Sequence, residues 1–294
     1  MCATTFSIFF YGDRIGVENA EWRKANAAAL NKSYTLPPFI RFREEYLVVD
    51  KYRLASCQIE KVMTTIKEAI FCFLTDSEKF LRHNRTISRE HWSNRFCTED
   101  RHLGKSLDTI IDKLGKDMTL FTVVRDPIER LISGFVDKCL RERYLFLSSC
   151  YGCPRNLRCF VDRLHFSLQN VARNKPGDYY VDRHFAPQTW YCDFKNHLGS
   201  YTIIKYESDN DGVVKIASQF NKLFEQSGIS NFERGIIEEE LLKGSTLHST
   251  HGSKEVSLVR ELILSDQEML MKISEIYYHD FIIFGFPLPI LQNT

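Results

Sequence analysis

The chain has 294 residues, 44% of them hydrophobic and 26% charged. That length holds one large α/β domain or two small ones, and the composition is ordinary for a globular protein. A formal net charge of +1 provides no global basic field, so no nucleic-acid partner is expected.

Nine cysteines and two N-x-S/T sequons, Asn31-Lys32-Ser33 and Asn84-Arg85-Thr86, fit a secretory compartment. The apolar run Ala3–Tyr11 lacks a basic region before it. It is also shorter than the roughly 20 residues a membrane span needs. No other window is long and apolar enough, so no membrane anchor is visible in this chain. Residues 1–40 read as a peripheral extension, with a helix over Glu18–Leu30 that ends before Pro37-Pro38. Residues 41–294 read as the main domain, without repeats or low-complexity linkers.

Tyr46–Asp50 and Leu54–Ile59 are strand-like. A turn, Glu60-Lys61-Val62-Met63-Thr64-Thr65, leads into a helix over Ile66–Leu74. A lysine and two hydroxyls in such a turn suit a phosphate, whose oxygens would meet backbone N–H groups and these side chains. The turn lacks G-x-x-x-x-G-K-[ST], which argues against a nucleotide triphosphatase loop. Arg82–Lys105 is rich in cations and contains Trp92 and Phe96. It reads either as a solvated face or as a groove for an anionic glycan. Ser88 is placed to cap a short helix there. Ser106–Leu114 reads as a helix.

Thr119–Leu140 organises the rest. Leu120–Val124 suits a buried parallel strand. Asp126 is a good N-cap, Pro127 fits the first helical position, and Ile128, Leu131, Ile132 and Phe135 follow at core spacing. Arg125 ends the strand, and Ser133 lies about two turns into the helix. Ligands of open α/β sheets bind at such strand ends.

Cys150-x-x-Cys153 with Cys159 reads as structural disulfides, with partners among Cys139, Cys150, Cys153, Cys159 and Cys192. The alternative, zinc, would need a fourth ligand such as His165. Asn156–Val171 is an amphipathic helix. Tyr201–Lys205 is strand-like and is followed by Tyr206-Glu207. Asp211–Ser227 is helical, and a polar loop, Ser245–Thr250, precedes a last helical stretch.

Three segments carry a resemblance. Arg125–Phe135 reads R-D-P-x-x-R-x-x-S-x-F. Asp182–Cys192 reads D-x-H-F-x-P-Q-x-x-x-C. Tyr277–Phe286 reads Y-x-x-D-F-x-x-F-G-F. Together with Lys61-Val62 and its hydroxyls, they resemble in order the membrane-type carbohydrate sulfotransferases of the chondroitin, dermatan and HNK-1 type. The loop around Lys61 departs from that group's form: Glu60 replaces its Pro, and Thr64-Thr65-Ile66 replaces its Cys-Ser/Thr-Asn-Trp. The resemblance implies a P-loop-like α/β fold, a central parallel sheet flanked by helices in a single domain. It also implies the donor 3′-phosphoadenosine-5′-phosphosulfate (PAPS), a glycan acceptor expected to be anionic and chondroitin-type, and a Golgi location.

Sulfuryl transfer needs positioning and charge stabilisation rather than covalent help, and no metal is expected. On this reading Lys61, Val62, Thr64 and Thr65 hold the 5′-phosphosulfate, and Arg125 and Ser133 hold the 3′-phosphate. Lys61 also meets the charge on the leaving oxygen. Arg130 is expected to be mainly structural. The base that takes the acceptor's proton is drawn from His184, His91, His83 and His102. His184 comes first because it sits in the strongest second motif, although His184 and Gln188 would also suit a purely structural role. Two other readings stand beside this one. One is an inactive relative that binds nucleotide or anionic glycan only, and the other is a different P-loop-like transferase or kinase.

Overall fold

Strands β1 (Tyr46–Val49) and β2 (Leu54–Cys57) form an antiparallel pair. The 3-10 turn Asp50–Tyr52 between them ends at Arg53, which has φ 45°. A link this short allows a hairpin but no crossover. The described part of the computed structural model comprises residues 34–90, 95–97, 103–142, 149–207, 211–243 and 252–291. Among these, β3 (Leu103–Gly104) runs antiparallel to β1, whereas β4 (Thr119–Arg125) and β5 (Thr202–Tyr206) run parallel with β2. The sheet order is β3-β1-β2-β4-β5. It is therefore a mixed sheet, parallel in the half that carries the expected site and antiparallel beyond it, rather than parallel throughout.

The helices follow the sequence closely. After β2 come α1 (Thr64–Thr75) and α2 (Ser77–Arg82), and α3 (Leu107–Leu114) leads into β4. Next is α4 (Pro127–Phe135), with Pro127 in its first turn and the Asp126 carboxylate accepting from the Ile128 and Glu129 N–H groups at 2.9 and 3.0 Å. It runs on as a π-helical segment, Val136–Arg141. Asn156 and Asp178 cap α5 (Leu157–Ala172) and α6 (Tyr179–Phe185) in the same way. A short α7 (Phe194–His197) precedes β5, and α8 (Gly212–Gln226) follows it. Beyond the expected elements lie α2, α6, α7 and α9 (Asn231–Leu242). The last helical stretch is split into α10 (Lys254–Ser265) and α11 (Gln267–Ile283) by Asp266, which caps the second.

Two aromatic clusters hold the layers. Phe121, in the middle of β4, meets Phe71 of α1 and Phe220 and Phe224 of α8, with centroids 5.7–6.2 Å apart. Phe160 of α5 lies between Phe135 of α4 and Phe185 of α6, at 5.2 and 4.7 Å. Here α4 and α6 approach so closely that a Cβ on Gly134 would stand 2.6 Å from the Phe185 ring. Ser88 does not act as a cap. It lies inside the 3-10 turn Ile87–Arg89, and its N–H donates to the Glu240 carboxylate at 2.8 Å.

Among the described residues the cysteines form four disulfides and not a zinc site: Cys57–Cys192, Cys72–Cys97, Cys139–Cys150 and Cys153–Cys159. Cys192 thus pairs with Cys57, outside the expected set, and Cys72–Cys97 is additional. His165 turns to Gln169 instead. The helix expected over Glu18–Leu30, the sequon at Asn31, and the loop Ser245–Thr250 lie outside the described residues.

Cys57–Cys192 ties the end of β2 to the chain after α6, across a sequence separation of 135. Closing so long a loop is worth about 5 kcal/mol in the chain-entropy picture. The pair Cys57→Ser with Cys192→Ser is therefore expected to lose several kcal/mol of stability in urea unfolding. An unchanged midpoint would show that the bridge constrains nothing the fold does not already hold.

Candidate active site at the carboxyl ends of the parallel strands

β4 outruns β2, since Cys57 at the end of β2 stands opposite Thr122, while Arg125 stands opposite Tyr206 of β5. The turn after β2 and the end of β4 therefore meet at one edge, where open α/β sheets place their ligands. In the turn, Lys61 and Met63 take left-handed backbone angles, φ 66° and 56°. Such conformations are uncommon for side chains of this size and persist only where the surroundings impose them. Val62 buries its side chain, and its N–H reaches the Ile59 carbonyl at 3.3 Å. Thr64 and Thr65 open α1 half-buried, and no side chain caps that helix. The amides left open for an anion thus belong to α1, because those of α4 are taken by Asp126.

A chain of charges joins the two halves. Lys61 Nζ lies 2.8 Å from Asp137 in the π-helical segment. Asp137 also meets Lys138 at 3.2 Å, and Lys138 reaches Glu142. Burial pushes the Asp137 carboxyl up, but Lys61 and Lys138 more than reverse this and hold it below the usual range. Burial lowers the Lys61 ammonium against the pull of Asp137, and Lys138 and Arg125 lower it further. Arg125, half-buried at the end of β4, therefore stands within electrostatic reach of Lys61. Its guanidinium lies 5.1 Å from the Tyr206 ring centroid and 3.8 Å from Glu129, which Arg260 grips with two hydrogen bonds of 2.8 and 2.7 Å. Ser133 is buried one turn before Asp137.

His184 joins this cluster from α6. Its Nδ1 lies 2.7 Å from the Tyr180 carbonyl, which can only accept, so Nδ1 carries the proton and Nε2 keeps a lone pair. Burial, and then the charges of Lys138, Arg183 and Lys61, bring its pKa down to about 3. His83 instead lies exposed at the end of α2, bonded to the Lys79 carbonyl and against Phe96. His91 and His102 lie outside the described residues. In the cationic stretch, Arg85 pairs with Glu90 and Arg95 with Glu68. Among the described residues, no group of three or more His, Cys, Asp or Glu is placed to hold a metal ion.

Several motif residues brace the site instead of facing it. The Gln188 side chain bonds both main-chain groups of Arg125, accepting from its N–H at 2.9 Å and donating to its carbonyl at 2.8 Å. Asp280, fully buried, accepts from the Gln188 and Thr189 N–H groups at 2.6 and 2.9 Å. The buried Arg130 donates to the carbonyls of Glu60 and Ala186 at 2.9 and 2.7 Å and to the Tyr191 hydroxyl at 3.3 Å. Behind the turn, Lys67 is wholly buried and donates to the Cys57 carbonyl at 2.7 Å, and its burial brings its pKa down to about 7. Sequence reasoning missed Asp137, Lys138, Lys67 and Arg43, the last of which forms a 2.7 Å ion pair with Glu60. For Asp137 a signal was present: it follows Ser133 by four residues and so lies on the same helical face.

The His184 shift makes a prediction about stability. In the unfolded chain the imidazole titrates near 6.5, well above its folded value of about 3. Its contribution is therefore complete above pH 6.5 and is lost as the pH falls from there toward 3. Between pH 6.5 and 5, native stability should fall more steeply than that of His184→Gln, by up to about 1.4 kcal/mol per pH unit. Equal slopes in urea unfolding would mean that His184 charges freely in the folded protein.

Comparisons with known proteins identify the family. The profile described as "Sulfotransferase family" matches residues 44–287. "Carbohydrate sulfotransferase chst-1" of Caenorhabditis elegans is 34% identical, over 98% of this chain and 89% of its own length. The uncharacterized protein C18B2.2 of the same organism is 30% identical, over 97% of this chain and 83% of its own. No solved structure matches. The profile covers both turns, the cluster around Lys61 and the bracing segments that hold Arg125, and on that coverage the chain belongs to the sulfotransferase family.

Proposed function

We propose that this protein transfers a sulfuryl group from PAPS to a hydroxyl of an anionic, chondroitin-type glycan in the Golgi lumen. The observation that carries the reading is the meeting of Lys61, Arg125 and the uncapped start of α1 at one sheet edge. A donor with a phosphate at each end of a nucleoside needs two cationic sites on one surface, and this edge supplies them. It is the P-loop-like arrangement in function, although the turn is shorter. The relative named as a carbohydrate sulfotransferase supports a sugar acceptor. Four disulfides and the exposed Asn84 in its sequon support the secretory location. We take residues 41–294 as the catalytic unit and 1–40 as an extension of it.

In this mechanism Arg125 and Ser133 hold the 3′-phosphate. The amides and hydroxyls of Thr64 and Thr65 hold the 5′-phosphate, and Val62 anchors the turn from the core. Lys61 leaves Asp137 and meets the bridging oxygen, which gains charge as its bond to sulfur breaks. The acceptor oxygen forms the new bond to sulfur in line, and His184 Nε2 takes its proton. Burial, with the nearby cations, holds His184 neutral at rest, and an anionic donor offsets those cations and makes His184 a better base. The 2.8 Å Lys61–Asp137 pair also favours a second reading, a relative that binds nucleotide without turnover. In that case Asp137 keeps the lysine occupied.

Calorimetric titration with 3′-phosphoadenosine 5′-phosphate tests the donor site. A charge-assisted contact is worth about 1.5–3 kcal/mol, so Arg125→Ala is expected to weaken binding about ten- to a hundredfold. No binding by folded native protein would sink the donor assignment. Binding without transfer to any glycan would mark the second reading.

A further inference from the structure

The rim beside His184 is formed by side chains of α6. Tyr179 and Tyr180 open α6 and remain 54% and 44% exposed. Exposed tyrosines ordinarily sample several rotamers, but both of these are tied. The Tyr179 hydroxyl accepts from Arg43 at 2.7 Å, and its ring leans on Phe42 at 5.7 Å. The Tyr180 hydroxyl donates to Glu142 at 2.9 Å, and its ring stands 5.0 Å from the His184 ring. Arg183 lies over Tyr180, with its guanidinium carbon 5.3 Å from the ring centroid. Its Nε is shielded from solvent and finds no hydrogen-bond partner among the described residues.

We infer that Tyr179, Tyr180 and Arg183 form the acceptor subsite, which takes a pyranose bearing a carboxylate next to the sugar that is sulfated. This inference rests on the sulfotransferase reading above and adds the recognition of the acceptor. A tyrosine ring offers an apolar face to the C–H face of a sugar. Fixing the ring beforehand lowers the entropy cost of binding. A guanidinium with an unused buried N–H is suited to a planar carboxylate, which it grips through two donors. The neighbouring cations are already engaged: Arg43 with Glu45 and Glu60, and Lys138 with Asp137 and Glu142. Arg183 also feels the Glu60 carboxylate, but among the described residues it forms no close ion pair, so an acceptor carboxylate has no salt bridge to break there. The Tyr180 ring, which meets both Arg183 and His184, links this cation to the proposed base.

The test uses unsulfated chondroitin hexasaccharide and its carboxyl-reduced counterpart as acceptors, with PAPS as donor. The native protein is expected to use the carboxylated glycan with a KM at least tenfold lower than the reduced one. Arg183→Gln should erase that difference in KM, while the loss of a cation beside His184 should change kcat for both glycans alike. Tyr179→Ala should raise KM for both glycans. Both variants should bind 3′-phosphoadenosine 5′-phosphate within twofold of native, which also shows that they are folded. A native protein without the carboxylate preference, or an Arg183→Gln variant that keeps it, would overturn the subsite while leaving the donor reading intact. Loss of nucleotide binding by the native protein would overturn the donor reading and this subsite with it.

Discussion

Arg130 is a charged side chain held out of water, 1% exposed, where an unpaired guanidinium would cost several kcal/mol. It is tolerated because each of its three nitrogens finds an acceptor, and those acceptors lie on three different parts of the chain. The Glu60 carbonyl belongs to the turn after β2, the Ala186 carbonyl to the end of α6, and the Tyr191 hydroxyl to the chain after it. One guanidinium on α4 thus sets the distance between the Lys61 turn and the helix that carries His184. The Cys57–Cys192 bridge closes the same span covalently. If the Arg130 contacts were lost, buried carbonyls would be left without donors, and both sides of the site would lose their common reference.

The same logic explains why the chemistry needs so many residues that never face it. Gln188 copies a strand neighbour by bonding both main-chain groups of Arg125 where β4 has outrun β2. Asp280 secures Gln188 in turn, and the Tyr277 hydroxyl donates to the Phe185 carbonyl at 2.7 Å. The segments Asp182–Cys192 and Tyr277–Phe286 are therefore chiefly a frame that orients one strand end. Orientation of this kind is what an in-line transfer asks of a protein.

At rest the cluster around Lys61 is nearly balanced. Asp137 occupies the lysine, Glu129 stands between Arg125 and Arg260, and Glu60 faces Arg43. Without these carboxylates, several buried cations would repel one another and destabilise the fold. In the proposed mechanism an arriving polyanion would exchange with Asp137 for the lysine, so the acidic residue that stabilises the fold would compete with the donor. The π-helical segment that carries Asp137 is an irregularity of the type often found at functional sites.

What the sequence by itself determined was local. Asp126 and Pro127 set where α4 starts, and Asn156 and Asp178 cap the next two long-range helices of the site layer. Apolar spacing located β1, β2, β4, β5, α1, α3, α4, α5 and α8 to within a few residues, and Lys61, Arg125 and His184 stood out as candidates because each sits in a turn or motif. Such signals depend on neighbours a few residues apart, which a sequence displays directly. The partners were decided by tertiary structure. Cys57 found Cys192, Lys61 found Asp137, and Arg43 found Glu60 and Tyr179. The antiparallel edge of the sheet followed from a three-residue turn, and the left-handed angles at Lys61 and Met63 follow no residue-type preference. These pairings depend on how helices and strands far apart in the chain pack. Many residues of suitable charge compete for each partner until packing and desolvation leave one arrangement.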